Sequence, residues 1–408
     1  MNKNIAFTIC AKNYLAQAIT LKESALFHNQ ELDFCIFLSD TPDGLDSNID
    51  IRVVDETIVP DIEKLAFKYD VVEYSTAVKP YVIKKLFNEG YEKVMYIDPD
   101  IFVTNSLDYV IDNLDRKSVI LTPHRCTTLT EDQLAPEKSI LYNGIFNLGF
   151  LAIKNDVVGN ELIDWWKEKL YSECYMEVSE ALAVDQKWME FAVSYYPENV
   201  LISHNMGLNV ASWNIHERQL EIRNGEYVIR SMKDPNKVDS LLFFHFSSFN
   251  PKIRLLIKSN ASTTFENYPN LETLADEYIG KLLINGYDSF SKMKYAYNFY
   301  DNGMPILAIH RRLYRAHENE LVDKGNPFKA DGYYFGLLKK SKLLVNKSQP
   351  QGDPRGRDNK ATSQSLKDKA AKVFYALFYI MGIERYTKLM KGFRVFSKFE
   401  NNAFLLKM

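Results

Sequence analysis

The chain has 408 residues, of which 46% are hydrophobic and 13% aromatic, and its formal net charge at pH 7 is −3. That length suits a large catalytic domain plus a smaller one, the apolar share can build a real core, and the charge balance excludes a general nucleic-acid binder. The four cysteines, Cys10, Cys35, Cys126 and Cys174, contain no CxxC pair, which excludes a disulfide framework or zinc cluster and points to a reducing cytosol.

The first residues, MNKNIAFTIC, run straight into a strand pattern with no signal-peptide architecture. Asn4 to Cys10 reads as a buried strand, and Leu15, Ala18, Ile19, Ala25 and Leu26 follow at helical spacing. Phe34 to Leu38 is a second strand, stopped by the turn-rich run from Ser39 to Gly44, and Ile51 to Val54 a third. Ser75 to Phe87 predicts a helix. Lys93 to Ile97 predicts a strand ending directly in Asp98-Pro99-Asp100. Further strands are expected at Val119 to Thr122, Phe146 to Ile153 and Leu241 to Phe246, with helices at Leu162 to Tyr171 and Val184 to Tyr195. This β-α-β order predicts an α/β fold with a mostly parallel sheet and flanking helices, whose ligands bind beyond the carboxyl ends of the strands.

Residues 1–255 are therefore read as the catalytic domain and 256–345 as a helical, Tyr-rich extension. Residues 346–362, with Pro, Gly and charge but little that is apolar, read as a flexible linker. Residues 363–408 read as a basic amphipathic helical tail: Leu366, Ala370, Val373, Phe374, Leu377 and Phe378 recur at helical spacing, surrounded by Lys and Arg. Such a helix lies on a membrane surface or docks on the catalytic domain. No run of about 18 uncharged apolar residues predicts a spanning helix.

Five places carry chemistry. In an extended chain Asp98 and Asp100 point to one side, with Pro99 fixing φ between them, an arrangement suited to a hard divalent cation such as Mg²⁺ or Mn²⁺. The alternatives are a plain acidic turn, or a nucleophilic Asp98 of phosphatase type, which the apolar Ile101-Phe102 does not support. His245, in FFHFSSFNP, is either a satisfied core residue or a third ligand that favours Mn²⁺. Asp185-Gln186 sits at an expected helix start, where Asp caps or faces a cleft. Asn143, Gly144, Asn147 and Gly149 mark a bulge or a close approach of a ligand. Lys79, at a helix start, is a solvated cation or the partner of an anion such as phosphate.

Taken in order, FTICAKNYL, TAVKPYVIKKLF, KVMYIDPDIFV, YNGIFNLGFLAIK, AVDQKWM, GLNVASWNIHER and FFHFSS resemble bacterial GT-A-fold glycosyltransferases related to the retaining family 8, of the kind found in cell-surface polysaccharide synthesis. The resemblance covers roughly residues 4 to 255. It implies that Asp98, Asp100 and His245 bind Mn²⁺ (or Mg²⁺), and that Thr8, Asn13, Tyr14, Lys79, Asp98 and Asn147 contact the nucleotide-sugar donor, a UDP-sugar. It also implies that Asp185 and Gln186 sit at the reacting centre, Asn209 on the acceptor side, and that transfer proceeds with retention to a glycan or lipid-linked glycan. Location would be cytoplasmic, peripheral on the inner face of the cell membrane.

Three departures stand out. Ser248 and Asn250 occupy positions where Gly and Lys are usual, leaving Lys79 or Lys252 to supply the missing cation, and the Trp that ends the late motif is absent. Lys12 stands where an acidic residue often precedes Asn-Tyr. Two rival functions share parts of this pattern. A nucleotide-sugar-forming nucleotidyltransferase would carry a Gly-rich phosphate loop after the first strand, where this chain has Ala11-Lys12-Asn13-Tyr14. A catalytically silent sugar- or membrane-binding subunit has no need of an intact Asp98, Asp100, Asp185, Gln186 and His245.

Overall fold

The computed structural model describes residues 3–128, 137–177, 180–252, 268–344 and 364–408. The chain divides into two compact units, residues 1–60 with 73–295, and 61–72 with 296–408. The 346–362 stretch read as a linker lies outside the described residues.

The first unit is built on strands β1 (Asn4–Cys10), β2 (Asp33–Leu38), β3 (Arg52–Val53), β4 (Lys93–Ile97), β5 (Ile101–Val103), β6 (Val119–Pro123) and β7 (Phe146–Lys154). It continues through β8 (Val200–Ile202), β9 (Val210–Ala211), β10 (Arg218–Arg223), β11 (Glu226–Ser231), β12 (Val238–Ser240) and β13 (Phe243–His245). The main sheet has the order β3-β2-β1-β4-β7-β6-β8. β1 pairs in parallel with β2 and β4, and β6 with β8, as the alternating pattern predicts. β7 runs antiparallel between β4 and β6. It starts where β6 ends, with His124 N donating to Ile145 O at 2.8 Å, so it runs back rather than crossing over. Its first residues therefore lie at the carboxyl end of β4, beside Asp98. The fold is of the α/β class: a mostly parallel sheet with flanking helices.

β1 and β4 are apolar on both faces because both faces are covered. Ala6, Met95, Ile97, Ile101, Phe150 and Phe243 form part of one continuous core with the helix Leu15–His28. A small second sheet, β5-β13-β9, lies next to the turn after β4, and its register pairs His245 with Ile101 on one side and Ala211 on the other. β10 to β12 form an antiparallel meander.

Helix boundaries differ from expectation at two places. The helix expected over 75–87 is two helices, Val71–Ala77 and Lys79–Asn88, the second with Pro80 in its first turn, where the missing N–H costs nothing. The helix expected over 184–195 is reduced to a 3₁₀ turn Lys187–Met189 and a short helix Glu190–Tyr195. Val184 has φ +45°, outside the helical region and unfavourable for a β-branched residue, so Asp185 does not open a helix.

In the second unit Phe67 is ringed by Tyr314, Phe328 and Tyr334 at 5.0–5.5 Å. Arg311, buried beside them, donates to the carbonyls of Ala66, Phe67, Tyr69 and Tyr297. The long helix Gln364–Phe396 is interrupted at Gly382, whose φ is +71°. Phe374 lies 6.2 Å from Phe393 and Phe378 5.6 Å from Tyr386. Nineteen residues of straight helix would span roughly 28 Å, so the chain folds back on itself at Gly382. Among the described residues no helix is long and apolar enough to cross a membrane.

Candidate active site

The strand β4 delivers Asp98 at its end, and a turn closed by Ile101 N to Asp98 O at 3.1 Å brings Asp100 round beside it. The two carboxylates converge through this turn rather than through an extended pleat, the geometry expected from the i, i+2 spacing. Asp98 N donates to Gly149 O at 2.7 Å and Phe246 N to Asp100 O at 2.9 Å, tying the turn to β7 and to the end of β13. His245, buried, points Nε2 at this turn, 3.1 Å from Asp100 Oδ1 and 3.7 Å from Asp98 Oδ2. One ligand atom from each of the three falls within 4.8 Å of the others.

Two hard carboxylate oxygens and an imidazole nitrogen fit a divalent cation, Mn²⁺ better than Mg²⁺. Gly149 has the shape this seat needs. A Cβ there would sit 2.4 Å from His245 Cε1 and 2.8 Å from both Asp98 Oδ2 and Asn147 Oδ1. The close approach that its position in a strand suggested is thus made by the site's own side chains. Burial pulls the His245 pKa down, but the charge and hydrogen bond of Asp100, with Asp98 behind it, outweigh that and leave it above the ordinary value.

Residues 4–188 match the model of glycosyl transferase family 8, a span that contains the Asp98 turn, Lys79, Asn147 and Asp185-Gln186. The chain is a glycosyltransferase that resembles family 8. It is 24% identical over 286 residues to the uncharacterized protein YfnF of Bacillus subtilis (strain 168), covering 68% of this chain and 91% of that one. Among solved structures it resembles the galactosyltransferase LgtC in complex with donor and acceptor sugar analogs, with 15% identity, a TM-score of 0.40, and coverage of 68% of this chain and 99% of that one. It also resembles the glycosyltransferase GlyE of Streptococcus pneumoniae TIGR4, with 16% identity, a TM-score of 0.39, and coverage of 74% and 67%.

In this glycosyltransferase Lys79 is not free for phosphate. Its ammonium is buried, donates to Asp185 Oδ2 at 2.7 Å and to Leu148 O at 2.9 Å, and lies 4.0 Å from the centre of the Tyr96 ring. A lysine has three donors, and these contacts occupy the group on every side. Asp185 is buried too, and burial raises its pKa against the opposing pull of Lys79. Tyr96, which the sequence did not single out, links this pair to the cation seat by donating to Asp98 Oδ1 at 2.5 Å. Burial first, and Asp98 second, push the Tyr96 phenol well above its usual range, so it remains a donor.

Gln186 lies half-buried across the cleft floor, its Nε2 donating to Asn143 O at 2.8 Å and its Oε1 accepting from Leu148 N at 3.3 Å and Asn147 Nδ2 at 3.4 Å. Asn147 lies between Gln186 and His124. His124 Nδ1 faces Ile145 O at 3.2 Å and its Nε2 faces Asn147 Nδ2 at 3.4 Å. Burial holds the His124 pKa down to about 4 against the Ile145 carbonyl, so the ring is neutral.

Asn13 and Tyr14 lie in the 3₁₀ turn Lys12–Tyr14 directly after β1. Tyr14 lines a small pocket with Gln17, Asp100, Ser248 and Tyr278, next to the cation seat. Thr8 is fully buried in β1, and among the described residues its hydroxyl has no hydrogen-bond partner. Lys12 is also buried, directing Nζ at Asp43 O at 3.2 Å and Asp40 Oδ1 at 3.9 Å, so it locks the following loop instead of offering a surface charge.

Asn209 is placed otherwise than on an acceptor face. It is 1% exposed, in the left-handed region with φ +55°, and its amide is bonded to Thr122, Asn147 and His245. The sequence also missed His124 and Trp213, whose rings pack edge to face at 5.4 Å, with Trp213 5.1 Å from His245.

Proposed function

We propose that this glycosyltransferase moves a sugar from a nucleotide-sugar, a UDP-sugar, to a glycan or lipid-linked glycan with retention of configuration, using a divalent cation, Mn²⁺, held by Asp98, Asp100 and His245. The observation that carries this reading is the convergence of those three side chains at the carboxyl edge of the sheet, where α/β folds bind ligands. A cation there supplies charge that stabilises a leaving diphosphate.

The chain's own groups do the rest. Tyr14 and Asn13 receive the nucleoside beside Asp100. Lys79 holds Asp185 in one place by its hydrogen bond, so that Asp185 orients donor sugar hydroxyls. Gln186, fixed at both ends of its amide, presents a preorganised dipole to the positive charge that develops at the sugar carbon. Retention needs no second carboxylate of glycosidase type, because the acceptor hydroxyl attacks from the face the diphosphate leaves.

The tail adds a location. Around the fold at Gly382, Tyr379 is 80% exposed, Ile380 79% and Ile383 63%, with Arg385, Lys388 and Lys391 next in sequence. An apolar tip flanked by cations matches an anionic membrane surface, and a transferase held there would take a lipid-linked acceptor.

The test is a donor screen: purified protein, Mn²⁺, a panel of nucleotide-sugars, and detection of released nucleoside diphosphate. Release from one donor, lost with chelator and in Asp100→Ala, supports the reading. Neither release nor calorimetric binding of any donor, with or without glycan acceptors, overturns it. An inverted anomeric product by NMR overturns retention alone.

A further inference from the structure

The orientation of His245 follows from a hydrogen whose position is not open to choice. The backbone N–H of Gly149 donates to the side chain of Asn147 at 3.1 Å, so the Asn147 atom there is the oxygen Oδ1. Asn209 also aims an amide atom at Asn147 Oδ1, 3.0 Å away, and that atom must be Nδ2. The second hydrogen of Nδ2 goes to Thr122 Oγ1 at 2.9 Å, whose own hydroxyl donates to Asn147 O at 3.3 Å. With both hydrogens spent, Asn209 Oδ1 is what faces His245 Nδ1 at 3.3 Å, and an amide oxygen only accepts. Nδ1 therefore carries a proton. Nε2, which faces Asp98 and Asp100, is left as the nitrogen whose lone pair would go to a cation held by the two carboxylates.

We infer that Asn209 is a positioning residue for the cation seat: it fixes His245 as the Nδ1–H tautomer and turns Nε2 toward the two carboxylates. This rests on the reading of Asp98, Asp100 and His245 as metal ligands. Metal-binding histidines commonly donate their other ring N–H to an oxygen, and that partner sets both tautomer and ring angle. Asn209 is itself held rigidly. Its left-handed backbone suits Asn better than most residues, and Asn214 Nδ2 donates to its carbonyl at 3.1 Å while Asn214 Oδ1 accepts from Ala211 N at 2.9 Å. The chain Thr122–Asn147–Asn209–His245 thus joins β6, β7 and the β9 edge to the seat.

The deciding experiment is ¹⁵N-histidine NMR of the protein saturated with diamagnetic Mg²⁺ at mildly alkaline pH, with the His245 signals identified by their loss in His245→Gln. Wild type should show a protonated Nδ1 and an Nε2 without a proton. Asn209→Asp, which keeps an acceptor for Nδ1, should show the same, and Asn209→Leu should shift toward a mixture or toward Nε2–H. In calorimetry with Mn²⁺ alone, Asn209→Leu should bind roughly 10–100-fold more weakly, while Asn209→Asp stays within a few-fold of wild type. A wild-type His245 in the Nε2–H form overturns the inference without any variant having to fold. So does an unchanged tautomer in folded Asn209→Leu. If wild type binds no Mn²⁺, the metal reading falls by itself, and the spectrum still decides whether Asn209 sets the ring.

Discussion

Lys79 and Asp185 form an ion pair of 2.7 Å with both side chains only 2% exposed, and Lys79 leans on the Tyr96 ring that in turn donates to Asp98. The pair carries the helix Lys79–Asn88 and the irregular 184–186 segment into one polar floor beneath the cation seat. A buried pair of this kind is weak in net stabilisation but expensive to break from one side, because the survivor is left charged in low dielectric.

Lys79→Met is therefore expected to destabilise the first unit by about 3–5 kcal/mol in denaturant titration. Adding Asp185→Leu removes the orphaned carboxylate and should recover most of that loss while donor turnover stays abolished. Equal stability of Lys79→Met and wild type would show that the carboxylate is not confined as the geometry requires.

Gly149 allows a test by steric replacement. Gly149→Ala places a methyl group 2.4 Å from His245 Cε1 and 2.8 Å from Asp98 Oδ2, so the ligands must part. Gly144→Ala is a useful contrast: Gly144 has φ +113°, which strains any side chain, yet the atoms nearest its Cβ would be those of Glu190, Lys187 and Gln186 at 3.3–3.5 Å. Both variants should lose stability, Gly144→Ala by about 1–3 kcal/mol from its strained backbone and Gly149→Ala by about 1–3 kcal/mol from overpacking. Only Gly149→Ala should also lose Mn²⁺ affinity by more than about tenfold in calorimetry, since it disturbs the ligands themselves.

Much of this site was legible in the residues. The strand ending in Asp98-Pro99-Asp100, the apolar run that ends in His245 and the Gly-spaced β7 are local signals. Asp185 was legible as a polar residue but not in its placement: the helical period from Val184 onward is overridden by the left-handed backbone of Val184. Lys79 reads as a surface cation because its partner lies more than a hundred residues away, and only the reversal of β7 and the packing of Trp166 under Asp185 bring the two together. Asn209 failed for a similar reason. A buried Asn and an exposed one look alike in sequence, and its role depends on strands β6, β7 and β13 meeting around it.

Metal binding should register as stability. A ligand bound only by the folded protein adds about 2.7 kcal/mol at a hundred times its Kd. Thermal melts with Mn²⁺ should rise in wild type and return to the metal-free value with chelator. Asp98→Asn, with one carboxylate fewer, should need far more Mn²⁺ for the same rise. Identical melting curves for wild type with Mn²⁺ and with chelator, across millimolar concentrations, would argue that the seat is vacant in function.

The second unit has its own pH dependence. His310 is fully buried, with Nε2 facing Leu343 O at 3.1 Å and Nδ1 accepting from Leu307 N at 3.3 Å. Burial holds its pKa down to about 4, helped by Arg311 and opposed by the Leu343 carbonyl. A proton on Nδ1 would displace the Leu307 N–H bond. The unfolded chain, titrating near 6.5, binds this proton first, so the contribution of His310 is complete above pH 6.5 and is lost as pH falls toward 4. The full loss is about 3 kcal/mol at most. His124, also held to about 4, acts over the same window in the first unit. Denaturant midpoints between pH 7 and 4 should fall in wild type, and the fall for the second unit's transition should be shallower in His310→Gln.

The tail supplies the last prediction. Its basic residues and its apolar tip make separable contributions, because Coulomb attraction is screened by salt whereas burial of Tyr379, Ile380 and Ile383 is not. Flotation with vesicles containing anionic lipid should capture the full chain and lose it on deletion of residues 365–408. Replacing Tyr379, Ile380 and Ile383 together by Ser should weaken capture at every salt concentration. Replacing Arg385, Lys388 and Lys391 by Gln should weaken it chiefly at low salt and leave the residual binding insensitive to salt. Donor release measured in solution should be unchanged in both sets, since neither touches the seat. Full capture of the triple Ser variant would show that the exposed tip is not what enters the lipid, and flotation failure of the intact chain would remove the membrane from the proposal.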